Sequence, residues 1–412
     1  MYLQKKLETE KLKNKKYIVV HAGKRDDYQV ALALYEAGML YALVTETYFP
    51  YDKNWFKKLI NLLGFQSQIN KRFKTGLPSN YVTVSYLAFF YQVLFSLTKN
   101  IKFDVKKGQL LGEKAKNLSV KYKVPVIAVN TCAAAAFQNN PIEPKILFQF
   151  HPQADFVKEL FLEEMQLNPK SIKTLRQEYE FSLSENELKI LSNEVQLATY
   201  FLCASSLTKK SLVFKGISDE KITVIPYGVD TSKFTFSERK QSETFKVIFI
   251  GSLNQRKGIT YLLDALNQLK KVELIIVTRG IYDNSLIQNY NFPIDVRVDI
   301  PHEKLQDALH EAHCFVLPSI LEGFGQVILE AMATGIPVIA TEHTAAQDII
   351  ENGKDGFITP IRDIVAIKTC LEKLQNDFSL VNTMGKNAHE KAKQFTWQKF
   401  RNDLVTSLKH LN

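Results

Sequence analysis

The stretch PSILEGFGQVILEAMATGIPVIAT, Pro318 to Thr341, sets two glutamates, Glu322 and Glu330, into otherwise apolar surroundings. The run leading into it, CFVLPS (Cys314–Ser319), is short, apolar and stopped by Pro-Ser, as a buried strand is. The two glycines of LEGFG call for a tight loop. QVILEAMAT is built of helix formers. Gly335 stands where a helix C-terminal glycine belongs, and Pro337 prevents continuation. VIAT then reads as the next buried strand. Strand, glycine loop, helix, strand is one turn of an α/β unit.

Val327, Ile328, Leu329, Ala331, Met332 and Ala333 surround Glu330 on nearly every face of this helix. A helix apolar all round is normally buried, and a buried carboxylate is costly unless paired or liganded. An ion-paired or half-exposed glutamate is one answer. Helix geometry offers another. Gly323 and Gly325 open the helix, where free N–H groups and the dipole favour an anion. Glu330 follows five residues on, about 7.5 Å along the axis, with its side chain leaning back toward the N-terminus. A phosphate at the loop leaves Glu330 placed to accept hydrogen bonds from a ribose attached to it. Glu322 faces the phosphate's far side.

The rest of the chain repeats the pattern. Within Lys16–Thr45, YIVV reads as a strand and HAGKR as a glycine turn, in which Gly23 lets a ligand approach the backbone. DDYQVALALYEAG reads as a helix with Asp26 as N-cap and Gly38 closing it, and LYALVT as a strand. Alternation continues through Val124–Asn130, Ile146–Pro152, Ala198–Ser205 and Lys221–Asp230. The polar stretch Lys233–Lys246 reads as a linker. A second series follows at Lys246–Gly258, Val272–Gly280 and Val296–Pro301. The expected fold is therefore α/β, with two Rossmann-like domains over 1–236 and 237–395 and a ligand cleft between them. A helix over 396–412 is expected to pack back on the first.

With 412 residues and 45% hydrophobic content, two full cores are within reach. The net charge of +10 points to an anionic partner: nucleic acid, membrane or phosphorylated substrate. The lysines are dispersed around no recognisable nucleic-acid element, so no nucleic-acid partner is expected. Cys132, Cys203, Cys314 and Cys370 show no CxxC spacing, which fits reduced core thiols in the cytoplasm. MYLQKKLETEKLKNKK lacks the apolar core of a signal peptide. The longest apolar run, Val84–Leu97, contains Gln92 and falls short of the roughly 18–20 residues that span a bilayer.

Three further features carry chemistry. In GSLNQRKG, Arg256 and Lys257 precede a helix, as a diphosphate site or as an ordinary exposed basic turn. His151 directly follows the strand-like ILFQF, as a catalytic group or a structural one. Asp52–Phe65 opposes Trp55, Leu59 and Leu62 to Lys53, Lys57 and Lys58, and Asn70–Lys74 adds three cations. That segment either packs on its own sheet or lies on an anionic membrane at the inner face.

EGFGQVILE followed by AMATGIPVIAT closely resembles the E-x7-E signature of the retaining glycosyltransferases of family 4, the glycosyl transferases group 1. SLNQRKG, ASSLTKKSLVFKG, VIPYGVDTSKF, VLPS, ENGKDGF and FTWQKF are similar to that family as well, so the resemblance runs from about Ala204 to the C-terminus. It implies a GT-B fold and a donor site in the C-terminal domain. By that resemblance Arg256 and Lys257 hold the diphosphate and Glu330 the ribose. Glu322 and the N–H groups of Gly323, Phe324 and Gly325 hold the sugar and phosphate. Ile300 and Pro301 lie near the base, and His151 lines the sugar's reactive side. The implied activity is metal-independent, retaining transfer from a nucleotide-diphosphate sugar, UDP or GDP, with no cofactor. The acceptor is a glycan, a glycolipid or another lipid-linked hydroxyl. A non-catalytic GT-B subunit and a sugar-nucleotide epimerase are the alternatives. The chain departs from the family at Thr278–Gly280, where Arg279 intrudes. It also has one glycine before Lys24 and Arg25, and Asp348 where a glutamate is usual.

Overall fold

Short runs of Val, Ile, Leu and Phe form the strands of two all-parallel sheets in the computed structural model, which describes residues 15–24, 26–53, 72–280 and 282–411. The first sheet contains β1 (Tyr17–Val20), β2 (Leu40–Thr45), β3 (Val82–Val84), β4 (Val126–Val129), β5 (Lys145–Gln149), β6 (Tyr200–Cys203) and β7 (Ile222–Val224). Their order is β3-β2-β1-β4-β5-β6-β7. The second contains β8 (Phe245–Ile250), β9 (Val272–Thr278), β10 (Ile294–Val298), β11 (Cys314–Leu317), β12 (Val338–Thr341) and β13 (Phe357–Thr359), in the order β10-β9-β8-β11-β12-β13. β1, β4, β11 and β12 are buried along their whole length, which is why they read as apolar runs without alternation. The strand order reverses between β1 and β4, and again between β8 and β11. Loops leaving the carboxyl ends of strands at such reversals splay apart and leave a crevice for a ligand.

Each sheet has its own core. The helix Trp397–His410 sends Phe400, Leu404 and Leu408 into the core of the first sheet, and Arg401 reaches Glu36 at 2.8 Å. The stretch Lys233–Lys246 is polar in composition but anchored: Phe234 is buried in the second core, and buried Arg239 donates to the Thr334 carbonyl at 3.0 Å. A third, smaller core sits between the sheets, where Val157, Phe161, Leu175 and Leu207 meet Ile320 and Leu321. Glu164 lies fully buried beside it and takes hydrogen bonds from Gln255, Tyr261 and Arg362 at 2.9, 2.9 and 2.7 Å. This seam sets the two crevices face to face.

One local reading needs correction. The first helix spans Gln29–Glu36 and its N-cap is Tyr28, in a left-handed conformation, not Asp26. Asp26 still accepts from the Val30 N–H at 3.1 Å, but its other oxygen meets His21 Nε2 at 3.0 Å. A buried histidine at the end of β1 takes the carboxylate that a helix start alone would have kept. Gly38 closes the helix as expected, and the four cysteines are free. Arg25 and most of the amphipathic stretch Asp52–Lys74 lie outside the described residues.

Candidate active site

The facing crevices form one cleft of about 730 Å³. Its second-sheet wall comes from the loops after β8 and β11. Asn254 caps the short turn after β8 by accepting from the Lys257 N–H at 3.2 Å, which holds Arg256 and Lys257 at the carboxyl edge. Glu322 joins them from the loop after β11. Its Oε1 lies 3.0 Å from Arg256 Nη1 and 2.5 Å from Lys257 Nζ, and accepts from Ser319 Oγ at 3.2 Å.

Burial pushes the Glu322 carboxyl up, but Lys257 and Arg256 beside it hold it net below the ordinary carboxylate range. Burial, with repulsion from the Arg256 charge beside it, pulls the Lys257 ammonium down further than Glu322 lifts it. Arg256 ends raised: burial lowers it, and Glu322 and Glu178 more than compensate. The trio is thus a charged cluster, and Glu178 adds a second carboxylate to its two cations.

Glycine makes the loop after β11 possible at two positions. A Cβ on Gly323 would stand 2.2 Å from the Phe150 carbonyl, so only glycine lets this loop rest on the end of β5 next to His151. Gly325 has φ +83°, where side chains are strained. Ser205 Oγ and Thr208 Oγ1 donate to the Gly323 carbonyl at 2.5 and 3.2 Å, pinning the loop from the first-sheet side. Among the described residues, nothing accepts from the N–H groups of Gly323, Phe324 and Gly325. All three residues line the cleft. Glu330, on the helix Val327–Ala333, is half-buried beside them and lies 3.3 Å from His302 Nε2. The hydrogen bond that His302 donates to Glu330 lifts its imidazole above the ordinary value despite partial burial.

Of the residues singled out from sequence, Arg256, Glu322, Gly323, Phe324, Gly325, Glu330 and His151 come together on the cleft. Lys257 sits behind Glu322. Gly23, Ile300 and Pro301 are not among the lining residues, though His302, next to Pro301, is. The Gly23 N–H donates to the Glu46 carboxylate at 3.0 Å, and Glu46 also holds Arg72 at 2.7 Å. Asp348 turns away from the cleft and accepts from the Ser206 N–H at 2.9 Å, joining the two sheets' units instead.

The structure adds groups that the sequence reading passed over. Glu178 Oε2 lies 3.2 Å from Arg256 Nε, and its Oε1 accepts from Asn254 at 2.9 Å. Burial raises the Glu178 carboxyl, and Arg256 offsets part of that. Glu180 Oε1 is 3.5 Å from His151 Nε2; burial raises this carboxyl, but His151 brings it net below its ordinary value. Glu194 is fully buried and accepts from the Thr131 N–H at 3.1 Å; burial pushes it up to about 8. At the ends of β4 and β5, Asn130 Oδ1 and Gln149 Oε1 are buried without a hydrogen-bond partner, and both residues line the cleft. Glu178, Glu180 and Glu194 stand in QEYEFSLSENELKILSNEV, which looks like an ordinary solvated helical face. No spacing in it marks a site.

This geometry can be set beside known proteins. Residues 230–391 match the glycosyl transferases group 1 family model. The chain is 30% identical over 242 residues to the capsular polysaccharide biosynthesis glycosyltransferase CapM of Staphylococcus aureus, which covers 52% of this chain and 63% of that relative. The chain thus spans less than two thirds of the length of that curated relative. The fold is the two-domain GT-B fold. Sucrose-phosphate synthase from Thermosynechococcus elongatus superposes with a TM-score of 0.66 at 18% identity, over 97% of this chain and 99% of that one. Anabaena HepE in complex with UDP-glucose gives 0.61 at 18% identity, over 96% and 100%.

Proposed function

We propose that this chain is a retaining glycosyltransferase that moves a sugar from a nucleotide-diphosphate donor, UDP or GDP, to a hydroxyl of a glycan or lipid-linked acceptor, without a metal ion. One observation carries this reading. Arg256 and Lys257, partnered by Glu322 and Glu178, form a buried charged cluster beside three N–H groups that nothing in the described chain accepts from. A diphosphate supplies the missing acceptors and shares the two cations. Glu330, along the same wall, accepts from the ribose hydroxyls. The capture of UDP-glucose by HepE, a neighbour in fold, supports the donor class.

The opposite wall receives the acceptor. Asn130 Oδ1 and Gln149 Oε1 are buried acceptor atoms waiting for donors, and sugar hydroxyls are donors. In the reaction the bond between the sugar's anomeric carbon and the phosphate oxygen breaks, and its electron pair leaves with the diphosphate. Arg256 and Lys257 stabilise that charge where it develops. The acceptor oxygen bonds to the anomeric carbon from the same face, and its proton passes to the departing phosphate oxygen. His151, held by Glu180, orients the sugar. Incubating the full chain with UDP- and GDP-sugars tests the reading. Slow donor hydrolysis or transfer with retained anomeric configuration in the presence of EDTA is the expected result. Inversion, or activity that EDTA abolishes and Mn²⁺ or Mg²⁺ restores, contradicts it.

A further inference from the structure

The helix Tyr86–Thr98, YLAFFYQVLFSLT, carries no charged residue. Tyr86, Phe90, Val93 and Leu97 recur at helical spacing and form one stripe. That stripe faces outward: Tyr86 is 82% and Leu97 75% exposed, with Leu87 and Phe89 exposed on its flanks. Six of the 17 exposed large apolar side chains among the described residues sit on this one helix. Single exposed apolar residues are ordinary, whereas a contiguous exposed face marks an interaction surface. The inward side is thin. Ala88 is buried, and Gln92 accepts from the Lys107 ammonium at 2.8 Å.

The surroundings identify the partner by charge. The helix forms a hairpin with Ile101–Tyr122, and residues 86–123 carry eight lysines against two acidic residues, Asp104 and Glu113. Asp104 is already paired with Lys107. Lys99, Lys102 and Lys106 are exposed in and just after the turn that follows Leu97. An uncharged stripe flanked by cations matches a surface with an apolar interior and anionic headgroups. Thirteen residues make a helix of about 20 Å, too short to span a bilayer. Among the described residues no helix is long and apolar enough to cross a membrane. The hairpin also reaches the cleft, because Asp104 and Lys107 line its wall.

We propose that the face of helix Tyr86–Thr98 lies in the headgroup region of an anionic bilayer and holds the acceptor side of the cleft against it. A lipid-linked acceptor then reaches Asn130 and Gln149 without leaving the membrane. This last step rests on the glycosyltransferase reading; the contact itself does not.

The test uses the full chain and two kinds of vesicle, phosphatidylcholine alone and phosphatidylcholine with phosphatidylglycerol. The wild type co-sediments with the anionic vesicles, and binding weakens as salt is raised. Phe90→Ser/Leu97→Ser reduces the bound fraction by about tenfold or more, and Lys99→Gln/Lys102→Gln several-fold. Both double variants change exposed side chains, and circular dichroism checks that they fold. As an independent readout, a polarity-sensitive dye on Val93→Cys shifts to the blue on anionic vesicles. A wild type that stays in the supernatant overturns the proposal. So does a wild type that binds no more tightly than the apolar variant, which would place the contact elsewhere, for example at Asp52–Lys74. A solution dimer that Phe90→Ser/Leu97→Ser splits, with no vesicle binding, overturns it as well by showing that a second copy covers the face. UDP binding measured without vesicles separates the two readings. Its loss would strike the donor assignment and leave the membrane contact standing.

Discussion

The two walls of the cleft are built in opposite ways. The second-sheet wall draws on two short contiguous segments, Asn254–Lys257 and Ser319–Glu330. Its charges are already matched there, with Glu322 between Arg256 and Lys257. The first-sheet wall is assembled from the ends of β4 and β5, from Lys107 on a distant helix, and from Glu178, Glu180 and Glu194. There the polar groups are under-satisfied: two amide oxygens lack partners, and one carboxyl is held up to about 8. The contrast fits a division of labour. On the proposed function, a diphosphate is the same in every donor and rewards a fixed, pre-charged cradle, whereas the first-sheet wall stays open to whatever hydroxyls it must receive.

The comparison breaks most readily at Arg256, the residue both walls share. Arg256→Ala leaves Glu178 and Glu322 partly uncompensated in a buried site, a change that costs about 3–5 kcal/mol when a buried pair loses one member. Nucleoside-diphosphate affinity is expected to fall by about tenfold or more, from the loss of a charge-assisted contact. Calorimetric titration with UDP and GDP and urea unfolding measure the two effects. A variant as stable as wild type that binds both nucleotides normally would dissolve the cluster as a donor site.

Glu194 tests the other wall through pH. Its carboxyl sits near 8 when folded, against an ordinary value of 4.5. Between those values the unfolded chain has released a proton that the folded chain keeps, so stability falls as pH rises through this window and levels off above it. The fall attributable to this group is at most about 5 kcal/mol, at roughly 1.4 kcal/mol per pH unit. Glu194→Gln should flatten that part of the stability profile, as read by denaturant melts from pH 5 to pH 8. An unchanged profile would mean that Glu194 is ionised in the folded chain.

The two signature glutamates sharpen the donor wall. Glu330→Ala is expected to weaken nucleoside-diphosphate binding by about tenfold, one charged hydrogen-bond acceptor's worth. Glu322→Ala should cut turnover without weakening nucleotide binding, because it removes a carboxylate that pairs with Arg256 and Lys257 before the diphosphate arrives. Equal losses of nucleotide affinity in both variants would contradict the division of roles.

The smallest effect belongs to Glu178, which pairs with Arg256 and on the proposed function competes with the diphosphate for it. Glu178→Gln should tighten nucleotide binding a few-fold, as expected for removing one carboxylate partner from a partly screened cation. Weaker binding in that variant would instead make Glu178 a necessary orienting group.

Sequence alone was enough for the parallel α/β architecture and for most of the second-sheet wall. β1, β4, β11 and β12 are buried on both faces and so appear as unbroken apolar runs. Gly323, Gly325 and Gly335 stand at the loop and helix end where backbone geometry demands them. Arg256, Glu322 and Glu330 lie within two short segments whose local chemistry is visible in a single pass. Asp26 was misread as an N-cap because its true partner, His21, belongs to the neighbouring strand end. Only the tertiary structure decided the first-sheet wall. It brought Glu178 against Arg256, 78 positions away in the chain, and turned Asp348 to Ser206 rather than to the cleft. It also aimed the apolar stripe of Tyr86–Thr98 at solvent. A buried acid and a solvated one are the same letter in a helical stretch. What distinguishes them is which other elements exclude water around them, and that depends on contacts between residues far apart in the chain.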